Sequence, residues 1–175
     1  RIPYPTYKGE EEGGCGVVGF CATEPVAARH IHEPSRQMHN RGNGKGGGIA
    51  AVGFIPEQLG VTREVLNTCY MVHIAFLDNG IRQELEEKYI TPCFEVEASC
   101  MLDTVADWTT IPSLEGKPPD VMRYFVRVRP EVLNSFISKN GMGRMTREEA
   151  EAEFLSQQSV KLNQEYYASL GDKKA

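Results

Sequence analysis

A cysteine held between two glycines is the first residue of the chain whose setting suits nucleophilic chemistry. Gly14, Cys15 and Gly16 follow one another, so no bulky side chain flanks the thiol and a substrate can approach closely. A thiol attacks a carbonyl carbon as its thiolate, which requires a nearby base. The spacing of the four histidines is not that of a cysteine protease. They are His30, His32, His39 and His73.

A second possible base is the α-amine of Cys15 itself. Cleavage before Cys15 would expose an amino group that titrates at about 7.7–8.0 and could take the thiol proton directly or through one water. Gly13 and Gly14 would leave the scissile peptide accessible. We therefore interpret residues 1–14 as a leader or propeptide.

A glycine-rich segment, RGNGKGGG at residues 41–48, is the second feature of interest. Exposed N–H groups in such a segment can hold a phosphate, but the spacing is not that of a P-loop. The better interpretation is a tight turn through which Arg41 and the loop backbone pack against the segment that follows Cys15.

The elements that must position these residues can be predicted from their patterns. Residues 15–22 and 49–55 are apolar and rich in β-branched residues, which predicts buried strands. Residues 25–40 predict a helix, with an interruption near Pro34. The first 55 residues are thus expected to run strand, helix, glycine-rich turn, strand.

Residues 68–141 predict a different order of secondary-structure elements, β-α-β-loop-β-α. The predicted strands are 68–77, 94–98 and 121–128, and the predicted helices are 81–90 and 130–140. This order favours a small ferredoxin-like α+β module. Residues 142–175 are expected to form a helical return segment, since Thr146 and Glu149 make a capping box before an apolar stripe. The stripe comprises Ala150, Phe154, Leu155 and Leu162.

Two motifs together resemble a known family. CGVVGF at residues 15–20 is similar to the opening of class-II glutamine amidotransferases, which are N-terminal nucleophile hydrolases. MHNRG at 38–42, with GIA at 48–50, resembles that family's His-Arg-Gly and Gly-Ile segment. The tail, residues 162–171, also resembles the amidotransferase subunit of archaeal-type split glutamate synthases. The resemblance implies an α+β fold, the first half of an αββα sandwich over residues 15–67 with a ferredoxin-like insertion at 68–141.

The resemblance also implies a chemistry. Cys15 would attack the side-chain amide of glutamine, release ammonia as a γ-glutamyl thioester forms, and pass the acyl group to water. Gly16, Arg41 and Gly42 would line the site. Family relatives supply ammonia to a synthase partner, and the resemblance implies that this partner is a glutamate synthase subunit. Flavin and iron–sulfur clusters would lie in that subunit, because this chain suggests no cofactor or metal site of its own.

Two departures from the family pattern bear on activity. Cys15 is not the first residue, so activity would require removal of residues 1–14. The family's arginine for the glutamine carboxylate and its Asn-Gly oxyanion pair have no clear counterpart, and we expect them in a downstream half that would complete the domain. Asn79-Gly80 and Asn140-Gly141 are better interpreted as turn signals.

The amino-acid composition and net charge exclude several classes of binding partner and of structural site. The net charge is −5 and the pI about 5.5, which argues against nucleic acid because phosphate binding needs a basic face. No apolar run reaches a membrane span, and five cysteines without CxxC spacing do not suggest a disulfide scaffold or zinc site. A reducing cytoplasm is expected, with four cysteines buried as small hydrophobic residues. These are Cys21, Cys69, Cys93 and Cys100.

Two alternative interpretations of the function of this chain remain. Cys15 could be a core cysteine among glycines that only form turns, or the chain could be a non-catalytic assembly or regulatory subunit that uses residues 68–141 for interaction. Two further sets of polar residues are better interpreted as having no ligand-binding role. His30 and His32 are too few for a metal site. Arg123, Arg127 and Arg129 are expected to form a solvated face.

Overall fold

The chain divides into two compact units, Arg1–Ile55 and Pro56–Ala175. The computed structural model describes residues 16–38, 48–111 and 116–166. The mixed α+β class expected from the sequence is confirmed by a three-stranded antiparallel sheet accompanied by helices. The division at residues 55 and 56 lies N-terminal to the boundary expected from the sequence, at residues 67 and 68.

In the first unit, helix α1 spans Arg29–Met38. Pro34 lies inside it and has no N–H to donate to the preceding turn. The helix nevertheless continues, and the Ser35 hydroxyl donates to the Ile31 carbonyl at 2.7 Å. The predicted interruption near Pro34 is therefore wrong.

The two strands predicted for the first unit are absent over its described residues. Residues 16–22 and 49–55 have irregular backbone. Most of their apolar side chains are exposed, with Val17 at 91% and Val52 at 96%, while Val18, Phe54 and Ile55 are half-buried. An isolated apolar segment becomes a strand only when a neighbouring strand takes up its hydrogen bonds. No strand pairing involves these described residues, so the buried-strand prediction is wrong for them.

The second unit contains the sheet. Strand β1 is Tyr70–Phe76, β2 is Phe94–Met101 and β3 is Asp120–Val128. Their order is β1-β3-β2, and both pairings are antiparallel. The predicted strands fall at these positions, because period-two patterns and flanking turn residues are local signals.

The two edges of the sheet differ in regularity. β1 pairs with β3 without a break from Tyr70 opposite Val126 to Phe76 opposite Asp120. β2 has a bulge, since Val96 lies opposite Val126 and Ala98 opposite Phe125. Glu97 is the extra residue, and the facing of side chains along β2 changes there.

Helical turns connect the strands. Helix α2, Arg63–Thr68, is capped by the Thr62 hydroxyl, which accepts from the Val65 N–H at 3.2 Å. The helix predicted at 81–90 is present but composite: a 3₁₀ turn at Asn79–Ile81, helix α3 at Arg82–Leu85 and a π-helical turn at Glu86–Ile90. Two more 3₁₀ turns lie at Pro56–Leu59 and Trp108–Thr110.

Two helices follow the sheet. Helix α4 is Pro130–Asn140, with proline in its first turn and Gly141 as a left-handed cap at φ 65°, as predicted. Helix α5 is Arg147–Tyr166. The predicted capping box is confirmed: the Thr146 N–H donates to Glu149 at 2.7 Å, and the Glu149 N–H donates to the Thr146 hydroxyl at 3.2 Å.

The core of the second unit lies between one face of the sheet and these helices. Phe154 of α5 makes edge-to-face contacts with Phe94 and Phe136, with ring centroids 5.8 and 5.2 Å apart. Ala150 and Phe154 are buried, while Leu155 and Leu162 pack at the margin, so the predicted stripe of α5 is confirmed. Over the described residues, no helix combines the length and the apolar character that a membrane crossing requires.

Candidate functional site

The residues predicted for chemistry lie mostly outside the described part of the chain. Cys15, Arg41 and Gly42 are among the residues that the structure does not describe. Gly16 is described, half-buried in irregular backbone. The assignment of these four residues to one site therefore stays a prediction.

The segment after Cys15 and the segment after the glycine-rich loop share one property, exposed apolar side chains. Phe20 is 52% exposed and Ile49 is 59% exposed. Exposed apolar side chains of this kind are available for contact with a further segment or a partner.

Helix α1 lies after the first motif and ends at Met38, the first residue of the second motif. It carries His30 and His32 but has no buried residue. Residues two apart on a helix do not face each other, so these imidazoles do not converge on one ligand position. Among the described residues, no group of three or more histidine, cysteine or acidic side chains could hold a metal ion.

The prediction that four cysteines are buried is wrong. Cys21 and Cys100 are exposed, and Cys69 and Cys93 are half-buried; all four are free thiols. Their positions explain this, since Cys21 lies in irregular backbone, Cys69 caps α2 and Cys100 lies on the edge strand β2. Burial raises the pKa of the Cys93 thiol, which disfavours the nucleophilic thiolate at that position.

Both described Asn-Gly pairs have structural roles, as the sequence interpretation expected. Asp78 accepts the Gly80 N–H at 2.9 Å and so caps the 3₁₀ turn that contains Asn79. Asn140 donates its side-chain amide to the Phe136 carbonyl at 2.8 Å. The Gly80 N–H and the Asn140 side-chain amide are therefore engaged within their own turns.

Arg123 and Arg127 of β3, and Arg129 directly after it, form hydrogen bonds with neighbouring groups. Arg123 donates to His73 Nε2 at 3.0 Å, and Arg127 pairs with Glu97 and donates to Thr68 at 2.8 Å. Arg129 donates to the Thr91 carbonyl at 3.1 Å. They are half-buried rather than fully solvated, because each side chain lies along a neighbouring element.

A set of tyrosine–carboxylate hydrogen bonds was not foreseen from the sequence. Tyr70 donates to Glu151 at 3.0 Å, and Tyr166 donates to Glu84, also at 3.0 Å. Burial, reinforced by the carboxylate bond, raises the pKa of each of these phenols to about 12. The phenols therefore stay protonated near neutral pH and cannot serve as bases. Partners 81 and 82 positions apart leave no local signal in the sequence.

A groove of about 670 Å³ lies beside β1 in the second unit. Residues 71–75 of β1 line one side, and helix α5 contributes Leu155, Ser159 and Leu162 among others. Ile90 and Phe94 also line the groove. No local sequence pattern indicates this groove, because its shape depends on how α5 lies relative to the sheet.

Comparisons of the chain with protein-family models, with curated proteins and with solved structures gave no match.

Proposed function

We propose that this chain carries the nucleophile half of a glutamine amidotransferase domain, which hydrolyses the side-chain amide of glutamine and supplies ammonia to a synthase partner. The observation that carries the proposal is the paired motif in the sequence: CGVVGF at 15–20 and MHNRG at 38–42, followed by GIA at 48–50. The two motifs follow one another in the order that the resemblance requires, and α1 leads into the second one at Met38.

In this proposal, Cys15 attacks the amide carbon of glutamine and its α-amine serves as the base, once residues 1–14 are removed. The amine then gives this proton to the amide nitrogen of the tetrahedral intermediate, whose C–N bond breaks to release ammonia as the γ-glutamyl thioester forms. Water then hydrolyses the γ-glutamyl thioester to glutamate and regenerates the thiol. Gly16, Arg41 and Gly42 line this site, and a downstream half provides the carboxylate-binding and oxyanion groups.

Two structural observations support an incomplete domain of this kind. The described apolar side chains at positions 17, 20, 49 and 52 are exposed on irregular backbone, as expected of strand sequences whose neighbouring strands belong to another segment. The second unit has a core of its own and an element order of β-α-β-β-α, which suits a ferredoxin-like insertion in an N-terminal nucleophile fold.

The alternative is a non-catalytic assembly or regulatory subunit. The observation that favours it is that the described residues of the second unit form a packed module whose polar contacts are structural, with an open groove beside β1. Such a module can bind a partner without chemistry.

Substitution of Cys15 distinguishes these functions. The protein, purified from its native source together with its associated subunits, is assayed for release of ammonia and glutamate from glutamine. Cys15→Ala should abolish this release, while Cys21→Ala, which alters an exposed thiol six residues away, should leave it unchanged. Equal activity in the wild-type protein and Cys15→Ala would end the enzyme proposal.

Intact mass measured on the same material tests the maturation step. A chain beginning at Cys15 is expected, because only a free α-amine can act as the base. Retention of Arg1 in protein that hydrolyses glutamine would contradict the proposed role of the amine.

A further inference from the structure

The two edges of the three-stranded sheet are protected to different degrees. Open strand edges invite pairing with other chains, and proteins usually blunt them with charges, prolines or bulges. β2 has two glutamates and a bulge at Glu97. β1, with the sequence YMVHIAF, has no charged residue, no proline and an unbroken register with β3.

The outer side of β1 is not covered by another strand within the part of the chain that the structure describes. The sheet order β1-β3-β2 gives β1 a single hydrogen-bonded neighbour. Backbone N–H and C=O groups on its other side are therefore available to a further strand. Residues 71–75 of this strand also line the groove shared with α5.

The chemistry of the groove restricts what can occupy it. Its described lining contains no aspartate, glutamate, lysine or arginine, although 25% of the residues in the chain are charged. The apolar part of the lining includes Val72, Ile74, Leu155 and Leu162. An uncharged, apolar strand is therefore the matching occupant, because a charged one would be desolvated there without a partner.

β1 itself has this chemistry, and its sequence is complementary to itself in the antiparallel direction. A two-fold axis at His73 pairs all seven residues of the strand with those of a second copy. Aromatic residues then face each other, as do β-branched ones, and such cross-strand pairs stabilise sheets. The pairs are Tyr70 with Phe76, Met71 with Ala75, Val72 with Ile74, and His73 with His73.

We infer that the β1 edge is an interaction surface for a second copy of this chain, and that two copies join β1 to β1 in an antiparallel six-stranded sheet. The pairing is isologous, so the same strand serves both copies and the assembly closes as a dimer. This interaction is independent of the proposed glutaminase chemistry, since all of the residues that form it lie in the second unit.

The test places charges at the centre of the pairing. The full chain is prepared as wild type, His73→Lys and His73→Glu, and the mass of each is measured by sedimentation equilibrium at about 1 to 100 µM. Wild type should be a dimer. Each variant alone should dissociate at least tenfold more readily, because like charges directly opposite each other destabilise a strand pair.

An equimolar mixture of His73→Lys and His73→Glu should restore the dimer, which only self-pairing through position 73 explains. Val96→Lys is the matched control, since Val96 is 45% exposed on the other edge strand, and it should sediment like wild type. Circular dichroism checks that each variant is folded.

A wild-type chain that remains monomeric at 100 µM would overturn the inference and leave the edge to a strand of another protein. A folded His73→Lys variant that dimerises as tightly as wild type would overturn it as well.

Discussion

Tyr124, on the central strand, donates its phenolic hydrogen to Glu86 at 2.7 Å, and the same carboxylate oxygen accepts from Arg82 at 2.8 Å. The contact joins the middle of the sheet to the start of the π-helical turn. Tyr124 is only 2% exposed. Burial would raise the pKa of Glu86, but the bonds from Arg82 and Tyr124 outweigh it and hold the pKa below its ordinary value.

Removing the hydroxyl should destabilise the second unit measurably. Tyr124→Phe leaves the ring in place and takes away a hydrogen bond to a charged group, which is worth about 1.5–3 kcal/mol. We expect the free energy of unfolding to fall by about that amount in urea titrations at pH 7. The difference between wild type and Tyr124→Phe should shrink as the pH falls through the folded pKa of Glu86, because the depressed pKa contributes stability only while the carboxylate is charged. A difference that is constant down to pH 3 would contradict this coupling.

Phe154 should be a principal determinant of the core. Phe154→Ala removes both edge-to-face contacts and leaves a cavity, so the expected loss is about 3–5 kcal/mol. The control is Val160→Ala on the same helix, where the side chain is 50% exposed and little change is expected. Thermal unfolding followed by circular dichroism measures both. Equal melting temperatures for the two variants would show that α5 does not depend on this packing.

The capping box should stabilise the first turn of α5. Thr146→Ala removes an acceptor for the Glu149 N–H, at a cost of about 1 kcal/mol, whereas Thr146→Ser keeps the hydroxyl and should restore most of the stability. Hydrogen exchange should accelerate at residues 148–150 in the alanine variant alone. Equal exchange in the alanine and serine variants would argue against the cap.

His73 also makes stability depend on pH. The fold disfavours the charged form of His73, whereas it favours the charged form of Glu86. Burial, and then the charge of Arg123, lower the pKa of His73 below 6.5. In the unfolded chain the imidazole takes up its proton near pH 6.5, while in the folded chain it does so only at lower pH. The stability that depends on neutral His73 is therefore present above pH 6.5 and decreases as the pH falls below it.

His73→Gln should remove this dependence. Unfolding titrations at pH 7.5, 6.5 and 5.5, at a protein concentration where one species is present, should show a smaller loss of stability in the variant than in wild type. His32→Gln on helix α1 is the control for the general effect of losing a histidine. A wild-type profile no steeper than that of His73→Gln would rule out the assigned direction.

The sequence predicts those elements of the fold that depend on residues close together in the chain. The sequence predicts α4 from Pro130 to Asn140 because Pro130 and Gly141 mark its two ends locally. Thr146 and Glu149 likewise predict where α5 begins. The strands of the second unit were placed because turn residues flank each apolar run. Patterns of this kind need nothing beyond a few neighbouring residues.

Features set by distant partners were missed. The π-helical turn closes through the Thr91 N–H, which donates to the Glu86 carbonyl at 2.8 Å, and no residue type there distinguishes it from an α-helical turn. The segments after Cys15 and Gly48 have strand composition but irregular backbone, because a strand also requires a partner. For the candidate site, Gly16 alone falls within the described residues, and the grouping of Cys15 with Arg41 and Gly42 remains a prediction from motifs.

The bulge in β2 gives that strand a tolerance for changes in length. Val96 and Ala98 lie opposite adjacent residues of β3, Val126 and Phe125, so a chain lacking Glu97 would continue the same ladder without moving any other pair. An inserted or deleted residue elsewhere in a strand turns every later side chain to the opposite face. During evolution, position 97 is thus the place in this sheet where a one-residue deletion would be absorbed, at the cost of the ion pair with Arg127.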